Sequence, residues 1–557
     1  MRNVRVERHN LDIATLRRMT IDASNDTPTT PPVRTRFAPS PTGFMHIGGM
    51  RTALFAWLLA RSTGGQFILR VDDTDKSRNV DDALAPILDA FAWLGLDWDE
   101  GPESLVQGRP VGGGEHGPYF QSQRGEFYTE AIDRLLGEGK AYRDYEPPDD
   151  TRAQREAAER EKRNYVSSRV SLDTMTSEQR EAQKDQPHVV RLVVPRDESV
   201  TITDAVRGEV TWQCADMVDP VLARADGSPL YNLASVVDDG RMGITHIVRA
   251  EEHLSNVPIQ ALLFDALGDA RPQFAHIPFV TAPGTSKKRS KREKDLAKYR
   301  TNPQFKSLYQ LADRVLPQLG LELDATMNPV MVRFYQEVGF LPEAVLNTLA
   351  RLGWSLDDKT EVLSLGDVVK HFTLDRVVKA PAGLDADKLL SFQEHWMGQR
   401  SVEERTDLAM PMVERAGLTA SREHVAAVVD ALGDRFKLAS DILNFEEFFV
   451  ADEAMEYDAK AFKKRLQKDP AAVGHLTAYR AELAGLSDWT VDGLQALTDR
   501  FCEAREIGLG KIVHAIRVST TGKAAGAGIF DTLAVIGRDS VLARIDRTLD
   551  RLSTVEA

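Results

Sequence analysis

Four consecutive residues, His46-Ile47-Gly48-Gly49, stand where the apolar spacing of the sequence predicts that a helix begins. Free backbone N–H groups and the positive end of the helix dipole favour an anion at such a place. The two glycines lack a Cβ, so a base or a ribose could lie close to the backbone. On these residues alone, a phosphate-binding histidine and an ordinary turn histidine both stay open, and the second is the more common.

A second group of residues suits phosphate chemistry through its charge. The segment 284–292 packs five basic residues into nine, and lysines on a loop are mobile cations that could neutralise a departing phosphate. A basic tract of this kind is also typical of a disordered segment. Both interpretations stay open until the segment is placed among other motifs.

A charged cluster, Arg249-Ala250-Glu251-Glu252, follows directly after the apolar strand that is predicted over 244–248. Ligands of open α/β sheets bind at the carboxyl ends of the strands. The cluster also resembles the start of a solvated helix, since glutamate is favoured in the first turn of a helix. The two interpretations are compatible.

A predicted strand, helix and strand position the first of these groups. Residues 35–38 are compatible with a strand, and the prolines in Pro39-Ser40-Pro41-Thr42-Gly43 exclude a helix interior for the turn that follows. Apolar residues recur at helical spacing from residue 45, glycines at 64–65 end that helix, and 66–71 form a second strand. Together they predict one parallel βαβ unit. A further helix is predicted over 82–94, with Pro86 awkward unless it lies in the first turn.

The composition describes an ordinary reduced protein. Its 557 residues are 42% hydrophobic, which suits about three to five domains. No run of about 18 apolar residues predicts a membrane span, and two cysteines, Cys214 and Cys502, are too few for a disulfide framework or a cysteine zinc site. We therefore expect a cytoplasmic location without membrane association. The formal net charge of -14 argues against a histone-like nucleic-acid binder, although local basic grooves remain compatible with it.

Three motifs in order resemble one known family. The string R-F-A-P-S-P-T-G-x-x-H-I-G-x-x-R-T-A-L-F resembles the start of bacterial-type glutamyl-tRNA synthetases, with the first class I signature. The pattern Y-x-L-A-x-V-V-D-D-x-x-M-x-I-T-x-x-x-R-A-E-E over 231–252 is similar to the same family. The basic segment fits the second class I signature, K-x-S-K-R, at Lys288-Arg289-Ser290-Lys291-Arg292.

The resemblance implies a multidomain fold: an α/β Rossmann-like class I catalytic domain with an inserted α+β acceptor-binding domain, then an all-α C-terminal anticodon-binding region. Repeated apolar spacing after residue 386 independently reads as helical. The inserted part contains a charged helical stretch, predicted over 149–184. The expected boundaries are a flexible extension over 1–33, the catalytic domain over 34–105 and 231–283, the inserted domain over 106–230, a basic loop, insertion (about 294–331) and stem-contact domain over 284–385, and the anticodon-binding region over 386–557.

The resemblance also implies the reaction. ATP, with Mg²⁺, would activate L-glutamate as glutamyl-adenylate, and the glutamyl group would then pass to tRNA(Glu) for protein synthesis. No structural zinc is expected, and we expect a monomer. Whether tRNA(Gln) is charged too depends on anticodon contacts that the sequence does not place; Arg435 is one candidate.

The site residues are carried over from the matching motif positions. The catalytic residues would be His46, Lys288 and Lys291. The ATP-binding residues would be His46, Gly48, Gly49 and Lys291. The glutamate-binding residues would be Arg36, Ala38, Ser40, Asp72, Tyr231 and Arg249. The signature residues are Pro39, Ser40, Pro41, Thr42, Gly43, His46, Ile47, Gly48, Gly49, Lys288, Arg289, Ser290, Lys291 and Arg292. No protein metal ligand is expected.

Three positions depart from the family pattern. The second signature histidine is Gly49, the acidic residue that would hold the substrate ammonium is Asp72 instead of glutamate, and a common asparagine is Ser235. These departures leave open a tRNA-binding protein that has lost catalysis. A glutaminyl enzyme is disfavoured by A-P-S-P-T-G, a short tRNA-modifying paralogue by the helical C-terminal half, and a small-molecule nucleotidyltransferase by chain length.

Overall fold

The computed structural model describes residues 31–41, 43–74, 80–183, 185–281 and 300–556. Expectations for 1–30, for Thr42 and for the second signature, Lys288 to Arg292, lie outside the described residues. The chain divides into two compact units. The first unit takes the described residues of Met1–Gln304, Pro329–Arg333 and Val345–Asp385, and the second those of Phe305–Asn328, Phe334–Ala344 and Ala386–Ala557.

The predicted βαβ unit is present and comprises β1 (Arg34–Phe37), α1 (Ile47–Ser62) and β2 (Gln66–Leu69). The two strands are parallel, with Arg34 opposite Gln66. Helix α1 is apolar and buried on most of its surface, as expected for a helix enclosed in a core. At Gly65 a Cβ would lie 2.1 Å from the carbonyl oxygen of Val33, so only glycine fits this return to the sheet.

The second predicted helix begins earlier than expected. Helix α2 (Val80–Leu94) includes Pro86 in its interior, beyond the first turn, which is the placement that the sequence marks as awkward for a proline. A proline at this position removes one N–H donor from the helix ladder. Burial of the neighbouring Ile87 and Phe91 provides the packing that holds the helix together despite this loss.

The region between α2 and residue 230 contains small sheets and short helices. They are β3 (Gly101–Val106), β4 (Arg109–Gly113), α3 (Gly125–Gly137), β5 (Ala141–Asp144), α4 (Pro148–Arg160), α5 (Val170–Asp173), α6 (Ser177–Ala182), β6 (Val189–Leu192), β7 (Ser199–Asp204), β8 (Gly208–Gln213) and β9 (Val221–Ala223). The order β5-β6-β9 forms an antiparallel sheet, and β7 with β8 forms a hairpin. The charged stretch 149–184 is therefore three separate helices and not one continuous helix.

The chain then completes the parallel sheet with α7 (Tyr231–Arg241), β10 (His246–Ala250), α8 (Val257–Ala266) and β11 (Gln273–Ile277). The strand order is β11-β10-β1-β2, and every pairing is parallel. The chain leaves β1 toward β2 on one side, while β10 lies on the other side. The switch point therefore lies between β1 and β10, at the carboxyl edge where ligands of such sheets bind.

The following segments alternate between the two units. Their elements are β12 (Val280–Thr281), α9 (Lys306–Val315), α10 (Val332–Val338), α11 (Pro342–Arg351), α12 (Leu365–His371) and β13 (Ala382–Gly383). Strand β13 pairs in parallel with β12.

Every regular element from residue 386 onward is helical, as the sequence predicts. The α-helices are α13 (Ala386–Gly398), α14 (Val402–Arg415), α15 (Arg422–Leu432), α16 (Ala459–Phe462), α17 (Pro470–Ala484), α18 (Val491–Ala504), α19 (Val513–Thr521), α20 (Ile529–Ile536) and α21 (Arg538–Glu556). The helices from α16 to α21 pack around one buried apolar cluster, which includes Leu476, Tyr479, Phe501 and Ile545. No helix of the described ranges is long and apolar enough to cross a membrane.

Candidate active site

The carboxyl edge of the parallel sheet gathers most of the sequence-predicted residues. Arg36 lies on β1 and Arg249 on β10, while Asp72 follows β2. His46 lies at the start of α1, and Tyr231 at the start of α7. Residues separated by more than 200 positions therefore meet at the switch point, which is the place that the topology favours for a ligand.

His46 caps the helix that it precedes. Its Nδ1 accepts a hydrogen bond of 3.0 Å from the backbone N–H of Gly48. A neutral imidazole that accepts through Nδ1 carries its proton on Nε2. The helix start is anchored by Val330, whose carbonyl oxygen accepts from the backbone N–H of Ile47 at 3.0 Å. The ring is thus fixed in orientation, with Nε2 as its hydrogen-bond donor.

A side chain at Gly48 would crowd the ring of His46, whereas one at Gly49 would make ordinary contact with Met45. A Cβ at Gly48 would meet the ring of His46 at 3.2 Å, and, among the described residues, one at Gly49 would meet only the methyl group of Met45, at 3.4 Å. Neither residue has a left-handed backbone. The glycines therefore leave space beside the helix start that a larger residue would fill.

Arg36 does not stand alone, because a buried aspartate already binds it. Its Nε and Nη2 donate to the carboxylate of Asp239 at 3.1 to 3.3 Å. Arg70, fully buried, donates through Nη1 to Asp239 at 2.7 Å and through Nε to Asp72 at 2.8 Å. Burial works against ionisation of Asp239, yet the charges of Arg36 and Arg70 hold the pKa of this carboxyl below its ordinary value.

The neighbouring Asp238 faces different partners. Its carboxylate accepts from Gln121 at 2.8 Å, from Arg124 at 2.5 Å and from the hydroxyl of Tyr128 at 3.0 Å. The two consecutive aspartates of α7 thus bind different partners. Asp239 binds Arg36 and Arg70 at the sheet, and Asp238 binds Gln121 and Arg124 just before α3. Asp238 and Asp239 belong to the family pattern over 231–252, but the sequence alone indicates no role for them. The signal that could have found them is a pair of carboxylates in an apolar helix, since buried charges require partners.

Asp72 is nearly buried and shares Arg70 with Asp239. Burial raises the pKa of Asp72 to about 6, although the charge of Arg70 works in the opposite direction. The backbone N–H of Asp72 donates to the carbonyl of Pro39 at 3.0 Å, which ties the end of β2 to the Pro39 turn. Ser40 in that turn is exposed, Ala38 is half-buried, and Ser235 is buried within α7.

Arg249 is held in a different way from Arg36. Only 5% of the residue is exposed, and its Nε donates to Nε2 of His276 at 3.0 Å. Its Nη1 is buried and has no hydrogen-bond partner among the described residues. Burial lowers the pKa of Arg249 to about 10, while Tyr231 nearby works in the opposite direction. The guanidinium is therefore a buried cation with one donor atom still to be satisfied.

Tyr231 and His253 border the same arginine. Their rings lie 5.9 Å apart, and Tyr231 is 41% exposed. Burial and the charge of Arg249 lower the pKa of His253 to about 4, so this ring is neutral at physiological pH. The border of Arg249 is thus polar but adds no second positive charge.

The predicted lysines are not among the residues that the structure brings together. Lys288 and Lys291, with Arg289, Ser290, Arg292 and Thr42, fall outside the described residues. Within the described ranges, no three His, Cys, Asp or Glu side chains form a cluster that could hold a metal ion.

Two family models match this chain. The model described as tRNA synthetases class I (E and Q), catalytic domain, matches residues 32–310 and 326–391. The chain belongs to this family. A second model, an anticodon binding domain, matches residues 404–549. The stretch 311–325, which the catalytic model leaves unmatched, lies inside the insertion predicted over about 294–331.

Members of this family with similar sequences are curated as glutamate–tRNA ligases. The protein of Moorella thermoacetica is 36% identical over 522 residues, which are 92% of this chain and 97% of that protein. The protein of Geobacter sulfurreducens is 35% identical over 518 residues, which are 93% of this chain and 98% of that protein. Among solved structures, a glutamate tRNA ligase from Elizabethkingia meningosepticum in complex with its amino acid gives a TM-score of 0.79 at 28% identity, and the match covers 94% of this chain and 100% of that one.

Proposed function

We propose that this chain ligates L-glutamate to tRNA(Glu) at the expense of ATP. The observation that carries the proposal is similarity over 92% of the chain to a relative named glutamate–tRNA ligase. The catalytic and anticodon-binding models account for both halves of the chain. The substrate carboxylate attacks the α-phosphate of ATP to give glutamyl-adenylate and pyrophosphate. The terminal ribose hydroxyl of tRNA then attacks the activated carbonyl, and AMP leaves.

His46 and the two glycines are assigned to ATP. The His46 ring is fixed by the hydrogen bond from Gly48, so its Nε2–H can donate to a phosphate oxygen as charge builds up in the transition state. Gly48 and Gly49 leave the space in which adenosine can lie against the helix start. Lys288 and Lys291 are proposed, on their sequence motif alone, to neutralise the departing pyrophosphate. Mg²⁺ would arrive bound to the phosphates of ATP.

The two arginines assigned to glutamate differ in how far other residues already pair their charges. Arg249 is buried and offers an Nη1 that no described residue satisfies, so it is the stronger candidate for a substrate carboxylate. Arg36 is partly neutralised by Asp239 and would contribute a weaker attraction. Asp72 would hold the substrate ammonium, with Tyr231, Ser40 and the backbone of Ala38 as neutral neighbours. Because Asp72 is one methylene shorter than the usual glutamate, this contact is the one most altered from the family pattern.

The proposal also includes tRNA(Glu) as the partner, a monomeric state and a cytoplasmic location. The helical region that matches the anticodon binding model would meet the anticodon, and Arg435 is one candidate contact there. Whether tRNA(Gln) is charged as well is decided by those contacts.

Exchange of pyrophosphate into ATP tests the proposed activity. Purified protein with tRNA(Glu) should catalyse exchange that depends on glutamate and is not supported by glutamine. Intact tRNA binding without exchange would overturn the proposal in favour of a binding protein that has lost catalysis. Exchange supported only by glutamine would overturn the choice of amino acid.

A further inference from the structure

Two buried residues outside the family signatures, His276 and Asp204, form a hydrogen-bonded line that ends at Arg249. The side chain of His276, on β11, lies beside Arg249 because the two residues are paired in the β10–β11 register. His276 and Asp204 are both fully buried at their side chains. His276 Nδ1 lies 2.5 Å from Oδ2 of Asp204, and His276 Nε2 lies 3.0 Å from Nε of Arg249. The three side chains thus form one continuous line.

The hydrogen bonding along this line has only one consistent direction. The Nε–H of Arg249 is a donor, so Nε2 of His276 must accept and carry no proton. The proton of a neutral ring then lies on Nδ1, which donates to Asp204. Burial lowers the pKa of His276, which favours this neutral form. Although burial opposes ionisation of Asp204, hydrogen bonds from His276 and from backbone N–H groups hold the pKa of that carboxyl below its ordinary value.

The last residue of β7 and the turn between β7 and β8 hold His276 from several sides. Asp204 accepts from the backbone N–H of His276 at 3.1 Å as well as from its ring. Arg207, in the same turn, donates to the carbonyl oxygen of His276 at 3.2 Å. Asp204 is itself fixed by the backbone N–H groups of Val206 and Arg207, at 2.9 and 2.8 Å. His276 therefore has little freedom to turn away from Arg249.

We infer that Asp204 and His276 are positioning residues that aim Arg249 at a substrate carboxylate while leaving the arginine its charge. This inference rests on the proposed function and deepens it. A carboxylate in contact with Arg249 would fix the guanidinium equally well but would neutralise the charge that the substrate needs. A neutral imidazole fixes Nε without doing so, and the anion of Asp204 stays one ring away. Arg36, whose charge Asp239 partly neutralises by direct contact, is the contrast within the same site.

The test measures glutamate-dependent pyrophosphate exchange in the presence of tRNA for His276→Leu, His276→Gln and Asp204→Asn. His276→Leu removes the acceptor and should raise the KM for glutamate about tenfold, because a buried charged donor loses its partner. Asp204→Asn no longer dictates the tautomer of His276, so it should also raise the KM for glutamate. His276→Gln keeps an acceptor oxygen, so its KM for glutamate should lie much closer to the wild-type value than that of His276→Leu. The KM for ATP should stay within about twofold throughout.

Asp219→Asn is the matched control. Asp219 is also a fully buried carboxylate between α2 and residue 230, but it binds Arg169 and Tyr142 instead of the site. This variant should lower the melting temperature without a selective change in the KM for glutamate. Unchanged KM for glutamate in His276→Leu and Asp204→Asn, or an equal rise in the KM for ATP, would overturn the inference while normal wild-type exchange leaves the proposed function intact. Wild-type exchange that does not require glutamate would overturn the proposed function and, with it, the substrate named here.

Nitrogen-15 NMR spectra of the histidines of the wild-type protein give a second measurement. This measurement does not depend on whether His276→Leu folds. The resonances of His276 are assigned by their absence from His276→Gln. At neutral pH they should report a protonated Nδ1 and a bare Nε2. A proton on Nε2, alone or on both nitrogens, would contradict the hydrogen bond to Arg249 and overturn the inference.

Discussion

Asp239 binds Arg36 through both of its carboxylate oxygens, and both side chains are almost completely buried. The same carboxylate binds Arg70. One aspartate therefore holds two arginines at the carboxyl edge of the sheet, and the position of Arg36 depends on a residue about 200 positions away.

Replacement of Asp239 should destabilise the first unit. Asp239→Asn leaves two buried guanidinium groups short of a negative charge, and loss of one partner from a buried ion pair costs about 3 kcal/mol. Urea denaturation should show this loss in the free energy of unfolding. Glu138→Gln, which removes an exposed partner of Arg134, serves as the control and should leave the unfolding midpoint unchanged. Equal midpoints for the two variants would contradict the central place of Asp239.

Substitutions of His46 should separate capping from catalysis. His46→Ala loses both, with a cost of about 1 kcal/mol for the helix cap and a loss of roughly 100-fold in the rate of pyrophosphate exchange. His46→Asn keeps a side-chain oxygen that can cap the helix but does not reach as far as Nε2. It should therefore melt close to the wild-type temperature and still lose most of the rate. Near wild-type exchange in His46→Asn would show that capping is the only role of this residue.

Gly49→Ala should change stability and ATP binding in opposite directions. Within the part of the chain that the structure describes, a Cβ at this position meets only the methyl group of Met45, at 3.4 Å, and alanine in a helix is favoured over glycine by about 0.5–1 kcal/mol. The melting temperature should therefore stay equal or rise. If adenosine lies against this helix start, the KM for ATP should rise while the KM for glutamate does not. An unchanged KM for ATP would remove Gly49 from the ATP site.

Asp72 should impose an acidic limit on glutamate use. Burial raises the pKa of Asp72 to about 6, so protonation below that pH removes the charge that would hold the ammonium. The kcat/KM for glutamate should fall as the pH drops through about 6. Asp72→Asn should be weak at every pH and lose this step, whereas Asp72→Glu, which stays ionisable, should keep an acidic limb. Retention of the step in Asp72→Asn would assign the titration to another group.

The same shift has a defined consequence for stability. An unfolded aspartate has a pKa of about 3.9, so between that value and about 6 the folded chain binds a proton that the unfolded chain does not. The contribution of Asp72 to the free energy of unfolding is therefore full below about pH 4 and is lost as the pH rises through 6.

The sequence predicted the features that local patterns carry. Apolar spacing predicts the helix that follows His46 and the strand that ends near Arg249, and both candidate site residues lie at the ends of these elements. The partnerships of these residues were not predictable in this way. Asp239 with Arg36, and Asp204 with His276, are far apart in the chain, so no local periodicity connects them. Helix α2 tolerates Pro86 in its interior because tertiary packing overrides the local preference against proline.

Charging of tRNA is the most direct test of the central claim. Purified chain should be given ATP, Mg²⁺ and either glutamate or glutamine, with tRNA(Glu) and tRNA(Gln) in separate reactions, and the charged tRNA should be quantified. The account predicts glutamyl-tRNA(Glu), with charging of tRNA(Gln) by glutamate as the measure of anticodon discrimination. Absence of glutamyl-tRNA from both reactions, or charging with glutamine alone, would contradict the account.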